Sequence, residues 1–113
     1  VQKILPALSY INEKYAEDID LSEISALLGF DPSYFCRIFK SAIGATFTEY
    51  LNFVRICKAE KLLKTDMSIS EISFNVGFSS LSYFNRIFKK YKFCSPTEYR
   101  KISGRIDGLI LRS

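Results

Sequence analysis

Apolar residues recur along this chain at the spacing of an α-helix, and short polar or glycine-containing segments separate one run from the next. Near the start of the chain, one such face is formed by Ile4, Leu8, Ile11 and Tyr15. Apolar positions three or four residues apart indicate an amphipathic helix. The same reading along the whole chain predicts seven helices and no sheet, so the expected fold class is all-α.

Two stretches of the chain are near copies of each other. Glu23 matches Glu71 at an offset of 48 residues, and Tyr34 matches Tyr83 at an offset of 49, because the second copy carries one inserted residue. The matching segments are Glu23-Ile24-Ser25 with Glu71-Ile72-Ser73, Tyr34-Phe35-x-Arg37-Ile38-Phe39-Lys40 with Tyr83-Phe84-x-Arg86-Ile87-Phe88-Lys89, and Thr48-Glu49-Tyr50 with Thr97-Glu98-Tyr99. Such duplication indicates one structural unit that is used twice.

Each copy is punctuated as two helices joined by a tight turn, which is the layout of a helix-turn-helix. Asp20 and Ser68 are each followed three residues later by Glu, the capping pattern of a helix N-terminus. Gly29 and Gly77 stand where that helix ends, at a position that favours positive φ. A second cap then starts the next helix: Asp31-Pro32 in the first copy and Ser79 or Ser80 in the second.

A longer helix is predicted between the copies, from Thr46 to Lys64, because Thr46-x-x-Glu49 caps it and nothing breaks it before Thr65. About 19 residues at 1.5 Å each give a rod of roughly 28 Å. A short last helix is expected after Ser95-Pro96-Thr97-Glu98. The expected domains are residues 1–45 for the first helix-turn-helix subdomain, 46–65 for the linker helix, 66–102 for the second subdomain and 103–113 for a flexible C-terminal tail.

Composition narrows the possible functions. The 113 residues suit one compact domain or two very small ones that share a core. The chain has no His, and its three cysteines are widely spaced, without a CxxC pair. These features argue against a disulfide scaffold, a zinc site and a Ser-His or Cys-His nucleophile. We therefore expect no enzyme activity, no cofactor and no metal, and thiols that are buried or idle in a reducing cytoplasm.

Charge is distributed unequally along the chain. The first 50 residues hold 4 Lys or Arg and 7 Asp or Glu, whereas residues 51–113 hold 12 and 5. The basic half suggests a polyanionic partner, with a solvated surface as the ordinary alternative. No apolar run approaches the roughly 20 residues that span a bilayer, so no membrane partner is expected. The chain begins at Val1 rather than Met, which suggests a piece of a longer protein.

In a helix-turn-helix the second helix enters the DNA major groove, and outward side chains near its N-terminus meet the base edges. Arg37 and Arg86 take matching outward positions, and Arg pairs bidentately with guanine. Asn85 can pair with adenine in the same bidentate way, and Ser33 and Ser82 can contact bases or phosphates. Phosphate contacts, which position a protein without specifying a sequence, are expected from Lys40, Lys89, Lys90 and Lys92.

Each of these assignments has a structural alternative. If acids on neighbouring helices paired with Arg37 and Arg86, the repetition of these arginines would be purely architectural. Tyr34 and Tyr83 are expected in the core rather than stacked on bases. Cys36 is as readily an indifferent exposed thiol as a contact to a thymine methyl. The lysines at the helix ends also complement the helix dipole, which alone would explain them.

The predicted length of the linker adds an independent argument. Two recognition helices meet one face of a duplex if they lie about 34 Å apart. The predicted rod, together with the width of the two units, gives a separation in that range. One chain would then read two successive major grooves, and its basic second unit would supply most of the attraction to phosphates. Exposed acids of the first unit, such as Glu17 and Asp18, would weaken its grip or face another protein.

The segment "ISEISFNVGFSSLSYFNRIFKKYKFCSPTEYR" resembles the signature of the AraC/XylS family of bacterial transcription regulators, across the second unit of that family. The segment "DLSEISALLGFDPSYFCRIFKSAIGATFTEYLNFVRICKAEKLL" is similar to the first unit and linker helix. The resemblance covers about residues 3–101. It implies seven helices and sequence-specific binding to double-stranded DNA as an activator or repressor. By position, the implied base-reading residues are Ser33, Cys36, Arg37, Leu81, Ser82, Asn85 and Arg86.

The resemblance also implies features that lie outside this chain. An effector-sensing or response-receiving domain often precedes the DNA-binding domain. Activators often contact RNA polymerase. The expected location is the cytoplasm, in association with the nucleoid. One residue departs from the family pattern, because Phe93 stands where Gly is usual, and Phe at positive φ costs about 1 kcal/mol or more. We expect either a rebuilt turn or accepted strain. A helical protein–protein adaptor, suggested by the acidic first half, is the alternative function.

Overall fold

The computed structural model describes the backbone of residues 3–112 and the side chains of residues 3–109. Within these residues the chain forms seven α-helices and no strand, which confirms the all-α prediction. The helices are α1 Leu5–Lys14, α2 Leu21–Leu27, α3 Pro32–Ile43, α4 Phe47–Leu62, α5 Ile69–Asn75, α6 Leu81–Lys92 and α7 Pro96–Arg112.

The contacts between residues divide the chain into two compact units. Unit 1 is Val1–Arg55 and unit 2 is Ile56–Ser113. The boundary therefore falls inside α4, the helix that the sequence analysis treated as a separate linker. Each unit contains one copy of the duplicated segment, with α2 and α3 in unit 1 and α5 and α6 in unit 2.

Side-chain caps start the helices at the positions that the sequence pattern predicts. Asp20 accepts from the Ser22 N–H, and Ser68 accepts from the Glu71 N–H, at 3.1 Å each. Ser80, and not Ser79, caps α6 by accepting from the Tyr83 N–H. Complete capping boxes, in which the acid also accepts from the N–H of the cap residue, form at Thr46 with Glu49 and at Ser95 with Glu98.

The core of unit 1 is built around the aromatic face of α3. Phe35 and Phe39 are fully buried, and their ring centroids lie 6.3 Å and 6.2 Å from that of Phe47 on α4. Ile11 of α1 and Ile24 of α2 complete this buried cluster. Because the inward positions of α3 are held by large rings, the opposite side of the helix is fixed toward solvent.

Unit 2 repeats this arrangement around α6. Phe84 and Phe88 are fully buried, with Phe78 from the turn 5.2 Å from Phe84 between ring centroids. Tyr99 of α7 packs edge-on against Phe88 at 5.5 Å. The equivalent residue of unit 1, Tyr50, lies 5.8 Å from Phe39. The duplicated sequence therefore gives duplicated packing within each unit.

Two arginines that the sequence analysis did not single out hold the chain where a helix ends. In unit 1, Arg55 donates to the carbonyl oxygens of Tyr15 and Glu17, at 2.7 Å and 3.0 Å. In unit 2, Arg100 donates to the carbonyl oxygens of Leu63 and Met67, at 2.9 Å and 2.5 Å. The Tyr15 and Leu63 carbonyl groups lie at helix C-termini, and the Glu17 and Met67 carbonyl groups lie in the segments that follow. These carbonyls have no partner inside a helix, so a charged donor to them is stabilising.

The linker helix is shorter than predicted. It has 16 residues rather than about 19, because Thr46 is its cap and its last turn tightens beyond Leu62. The Lys64 and Thr65 N–H groups donate to the carbonyls three residues earlier, at 3.3 Å and 3.0 Å. Such three-residue spacing is a common way for a helix to finish.

The last helix is longer than predicted. We expected a short helix and a tail from Ser103, whereas α7 continues without interruption to Arg112. Gly104 and Gly108 motivated that expectation, but a helical Gly costs only about 1 kcal/mol relative to Ala and does not remove a hydrogen bond.

Phe93 adopts the strained conformation at the end of α6. Its φ of 63° is the only positive value at a non-glycine residue in the described part of the chain. The equivalent position in unit 1 is Gly44, with a φ of 83°. The Phe93 N–H donates to the Lys89 carbonyl, so the turn keeps the geometry that glycine gives at Gly44. Of the two expected outcomes, strain is accepted and the turn is not rebuilt.

We expect Phe93→Gly to stabilise the protein by about 1 kcal/mol, because glycine adopts this conformation without the steric cost. The ring is 88% exposed, so its removal sacrifices little buried surface. Urea unfolding followed by circular dichroism measures the change. Gly44→Ala is the matched variant and should destabilise, since an added Cβ meets nothing within 4 Å and only the backbone conformation opposes it. A Phe93→Gly variant less stable than the parent would contradict the assignment of strain.

Candidate nucleic-acid interface

The second helix of each unit is presented by a tight turn. Gly29 and Gly77 end α2 and α5 with φ values of 74° and 108°. The next residue in each case closes the turn, with the Phe30 N–H donating to the Ser25 carbonyl and the Phe78 N–H donating to that of Ser73. The turn then delivers the chain to the caps of α3 and α6, whose aromatic sides are buried.

The residues expected to read bases all lie on the exposed sides of α3 and α6. They are exposed without exception, and they occupy the first two turns of their helices. The set is Ser33, Cys36 and Arg37 on α3, and Leu81, Ser82, Asn85 and Arg86 on α6. Each unit therefore exposes these side chains on the N-terminal half of its second helix, which is the part of a helix-turn-helix that meets base edges.

The two matching arginines are not paired with acids. Among the described residues, neither Arg37 nor Arg86 makes an ion pair. Each instead lies over the ring of the tyrosine three residues earlier, at 5.8 Å between Arg37 Cζ and the Tyr34 centroid and 5.1 Å between Arg86 Cζ and the Tyr83 centroid. The architectural alternative, in which an acid on a neighbouring helix holds each arginine, is therefore wrong.

The tyrosines themselves are part of the packing, as expected. Tyr34 and Tyr83 are half-buried. Tyr34 meets Phe30 edge-on at 5.4 Å between centroids, and Tyr83 meets Phe78 at 5.9 Å. Each tyrosine ring thus packs against the phenylalanine of its turn, and the guanidinium of Arg37 or Arg86 lies over the same ring.

The lysines of the second helices differ in what surrounds them. Lys89 and Lys90 are exposed in the last turns of α6. Lys40 on α3 is exposed and lies 4.0 Å from Glu49. Lys92 is only 28% exposed, and its ammonium lies 2.8 Å from the Glu60 carboxylate. Because Lys92 already has an acid partner, it is the least available of the four for a phosphate.

Glu60 also accepts a hydrogen bond from the Tyr99 hydroxyl, at 2.5 Å. This network joins α4, the end of α6 and α7 within unit 2. The hydrogen bond to Glu60, followed by burial and by the negative charge of Glu60, raises the pKa of Tyr99 to about 12. Sequence reasoning missed the network because its members lie on three helices, and only their side-chain packing brings them together.

The raised pKa of Tyr99 makes stability depend on alkaline pH. Its folded-state pKa lies above the ordinary value of 10, so its contribution is complete below pH 10 and is lost as pH rises toward 12. We expect Tyr99→Phe to be less stable than the parent at neutral pH and to lose less unfolding free energy between pH 10 and 12. Urea titrations at neutral pH and between pH 10 and 12 measure the unfolding free energy of each variant. Tyr50→Phe is the control, because it removes the equivalent hydroxyl of unit 1 and leaves the lysines in place. Equal slopes in the parent and in Tyr99→Phe would contradict this assignment.

The remaining chemistry of the described residues is sparse. All three cysteines are free, with Cys36 exposed and Cys57 and Cys94 half-buried. Burial, with a smaller effect of Glu60, raises the pKa of the Cys57 thiol. Among the described residues, no three or more potential metal-ligating side chains form a cluster. In that same part of the chain, no helix is both long and apolar enough to span a membrane.

The fold and its exposed second helices define the class of the protein. Residues 20–102 match the family described as the helix-turn-helix domain, and the chain belongs to this family, in its AraC type. It is a DNA-binding domain of the kind found in transcription regulators. The alternative of a protein–protein adaptor is not favoured.

Particular relatives are similar over most of this chain. Regulatory protein PocR of Salmonella typhimurium is 34% identical over 100 residues, which are 88% of this chain and 33% of PocR. The C-terminal domain of AraT, a response regulator from Geobacillus stearothermophilus, is 32% identical with a TM-score of 0.85, covering 90% of this chain and 86% of that one. The DNA-binding domain of AdpA, solved in complex with a target DNA, is 26% identical with a TM-score of 0.82, covering 88% and 90%. The chain spans about a third of the length of PocR and of two other curated relatives, YisR of Bacillus subtilis and YijO of Escherichia coli.

Proposed function

We propose that α3 and α6 are recognition helices that enter successive major grooves of one duplex and read its sequence. The observation that carries this proposal is a pair of exposed arginines at matching positions of two helix-turn-helix units. Neither arginine pairs with an acid among the described residues. A guanidinium presents a rigid fork of N–H donors that matches the O6 and N7 acceptors of guanine. The other base-reading side chains are Ser33, Cys36, Leu81, Ser82 and Asn85.

Phosphate contacts complete the proposed interface. Lys89 and Lys90 are exposed at the C-terminal end of α6, and Lys40 takes the place of Lys89 on α3. Unit 2 supplies more of this attraction, since the basic residues of the chain are concentrated there. Lys92 contacts a phosphate only if its ion pair with Glu60 breaks, because the Lys92 ammonium lies 2.8 Å from the Glu60 carboxylate.

The role of the whole protein follows from the same reading. We propose that this domain serves a bacterial transcription regulator in the cytoplasm, associated with the nucleoid. A sensor or response-receiving domain would precede it, and contact with RNA polymerase would account for activation. The support is that the chain spans 33% of its curated relative PocR, which is called a regulatory protein.

Selection of bound sites from a random DNA pool tests the proposed function. The expected result is a site with two short submotifs about 10 base pairs apart, one for each recognition helix. The purified 113-residue chain is suitable, and selection at two salt concentrations separates specific from general attraction. Recovery of no enriched sequence, or of a single submotif only, would contradict reading by both helices.

Lys89→Ala should weaken binding to the selected site and to random DNA by the same factor. A phosphate contact releases a counterion, so the slope of log K against log salt should fall by about 0.9. Fluorescence anisotropy at several salt concentrations measures this slope. Lys61→Ala, which removes the same charge from an exposed position on α4, is the control. A loss confined to the selected site, or an unchanged slope, would contradict the phosphate role.

A further inference from the structure

The duplicated segment repeats one pair of residues whose side chains meet in both copies. Tyr34 precedes Arg37 by three residues, and Tyr83 precedes Arg86 by three. Residues three apart on a helix are neighbours on its surface. The residue before each arginine differs between the copies, being Cys36 in one and Asn85 in the other, while the Tyr–Arg contact is kept.

Contact with a ring leaves the guanidinium able to bind. An ion pair would occupy the N–H donors and direct them at a carboxylate, whereas an aromatic face attracts the cation through its π-electrons. The N–H groups around the guanidinium plane are then available for the two acceptors of a guanine. Arg37 and Arg86 each contact a ring, and neither forms an ion pair among the described residues.

The rings are anchored, and the arginines are not otherwise held. Phe30 packs against Tyr34 and Phe78 against Tyr83, so each ring is fixed by the aromatic residue that closes its own turn. An exposed arginine has up to about 2 kcal/mol of rotamer entropy to lose when it binds. A fixed ring that restricts the side chain beforehand reduces that loss.

We infer that Tyr34 and Tyr83 are positioning residues, which hold the guanidinium groups of Arg37 and Arg86 in the orientation that reads a base. This inference rests on the proposed function and adds a specificity role for two residues outside the proposed base-reading set. Within each unit, the aromatic residue after the turn glycine packs against the tyrosine and fixes the position of its ring. The ring in turn restricts the orientation of the arginine.

A fluorination series at position 83 tests the role of the ring face. Phenylalanine, monofluoro-, trifluoro- and pentafluorophenylalanine keep the shape of the ring while weakening its attraction for a cation step by step. The measurement is the ratio of dissociation constants for the selected site and for a site changed at the base pair that Arg86 reads. That base pair is the one whose change no longer matters in Arg86→Ala.

The expected result is that Tyr83→Phe keeps the ratio and that it falls stepwise with fluorination, by roughly two- to five-fold in total. In an Arg86→Ala background the series should leave the ratio unchanged. The same series at Phe88, a fully buried ring of unit 2, controls for altered packing. Thermal unfolding of every variant checks that the unit remains folded.

Other outcomes separate the possible failures. If fluorination at position 83 lowers binding to both sites equally, or leaves the ratio constant while Arg86→Ala changes it, the positioning role is wrong although base reading stands. If Arg86→Ala changes nothing, the proposed function itself fails. The same series at Tyr34 repeats the test in unit 1, with the ratio measured for the base pair that Arg37 reads. The inference therefore stays testable even if a variant of unit 2 folds poorly.

Discussion

Arg86→Ala is expected to cost about 1–3 kcal/mol of binding free energy on the selected site and to relax the preference for one base pair of that site. The reason is the loss of the proposed bidentate contact between the Arg86 guanidinium and a guanine. Competition anisotropy against a panel of single-base variants measures both effects. Folding should be unaffected, because Arg86 is exposed and its guanidinium lies against the ring of Tyr83.

Two further variants make this prediction specific. Arg37→Ala should relax a different base pair, in the submotif bound by the other helix. Arg105→Ala removes the same charge from an exposed position on α7 and should leave base preference unchanged. An Arg86→Ala variant that loses affinity for random DNA as strongly as for the selected site would show that Arg86 contacts only the backbone.

Arg100→Ala is expected to lower the unfolding free energy by about 2–3 kcal/mol. Arg100 donates to the carbonyls of Leu63 and Met67, and hydrogen bonds from a charged donor contribute roughly 1.5–3 kcal/mol. Its removal leaves without a donor the Leu63 carbonyl at the end of α4 and the Met67 carbonyl just before the cap of α5. Urea unfolding measures the change, and a fluorescent label on either side of the turn reports whether the end of α4 loosens first.

Matched variants separate the hydrogen bonds from the charge. Arg100→Lys keeps the charge but loses the rigid fork, so it should recover only part of the stability. Arg105→Ala, on the exposed side of the same helix, should change stability by less than about 0.5 kcal/mol. If Arg100→Ala and Arg105→Ala had equal effects, the contacts with the two carbonyls would not stabilise the unit.

Local rules were sufficient for most of the secondary structure. Caps such as Asp20 and Ser68 and the turn residues Gly29 and Gly77 act through groups only a few residues away, so their effect is readable without knowledge of the fold. The same local rules misplaced the C-terminal ends of two helices, α4 and α7. At the C-terminus of α4 and along α7, a difference of about 1 kcal/mol or less per residue decides whether the helix continues.

The candidate interface was predictable in part for a similar reason. Apolar periodicity determines which side of α3 and α6 is buried, and hence that Arg37 and Arg86 are exposed. It does not determine what lies beside an exposed side chain. The contact with Tyr34 and Tyr83, and the absence of an acid partner for either arginine in the described residues, appear only when side chains are placed in space.

The amino-acid sequence by itself determined that this protein is all-α, that one unit is used twice, and that two helices present matching polar sides. These properties depend on spacing along the chain, which is the same in the folded and unfolded states. Only the tertiary structure decided that Glu60 pairs with Lys92 and Tyr99, and that Arg55 and Arg100 bind carbonyls more than 30 residues away. Long, flexible charged side chains reach many partners, and the packing of the helices selects among them.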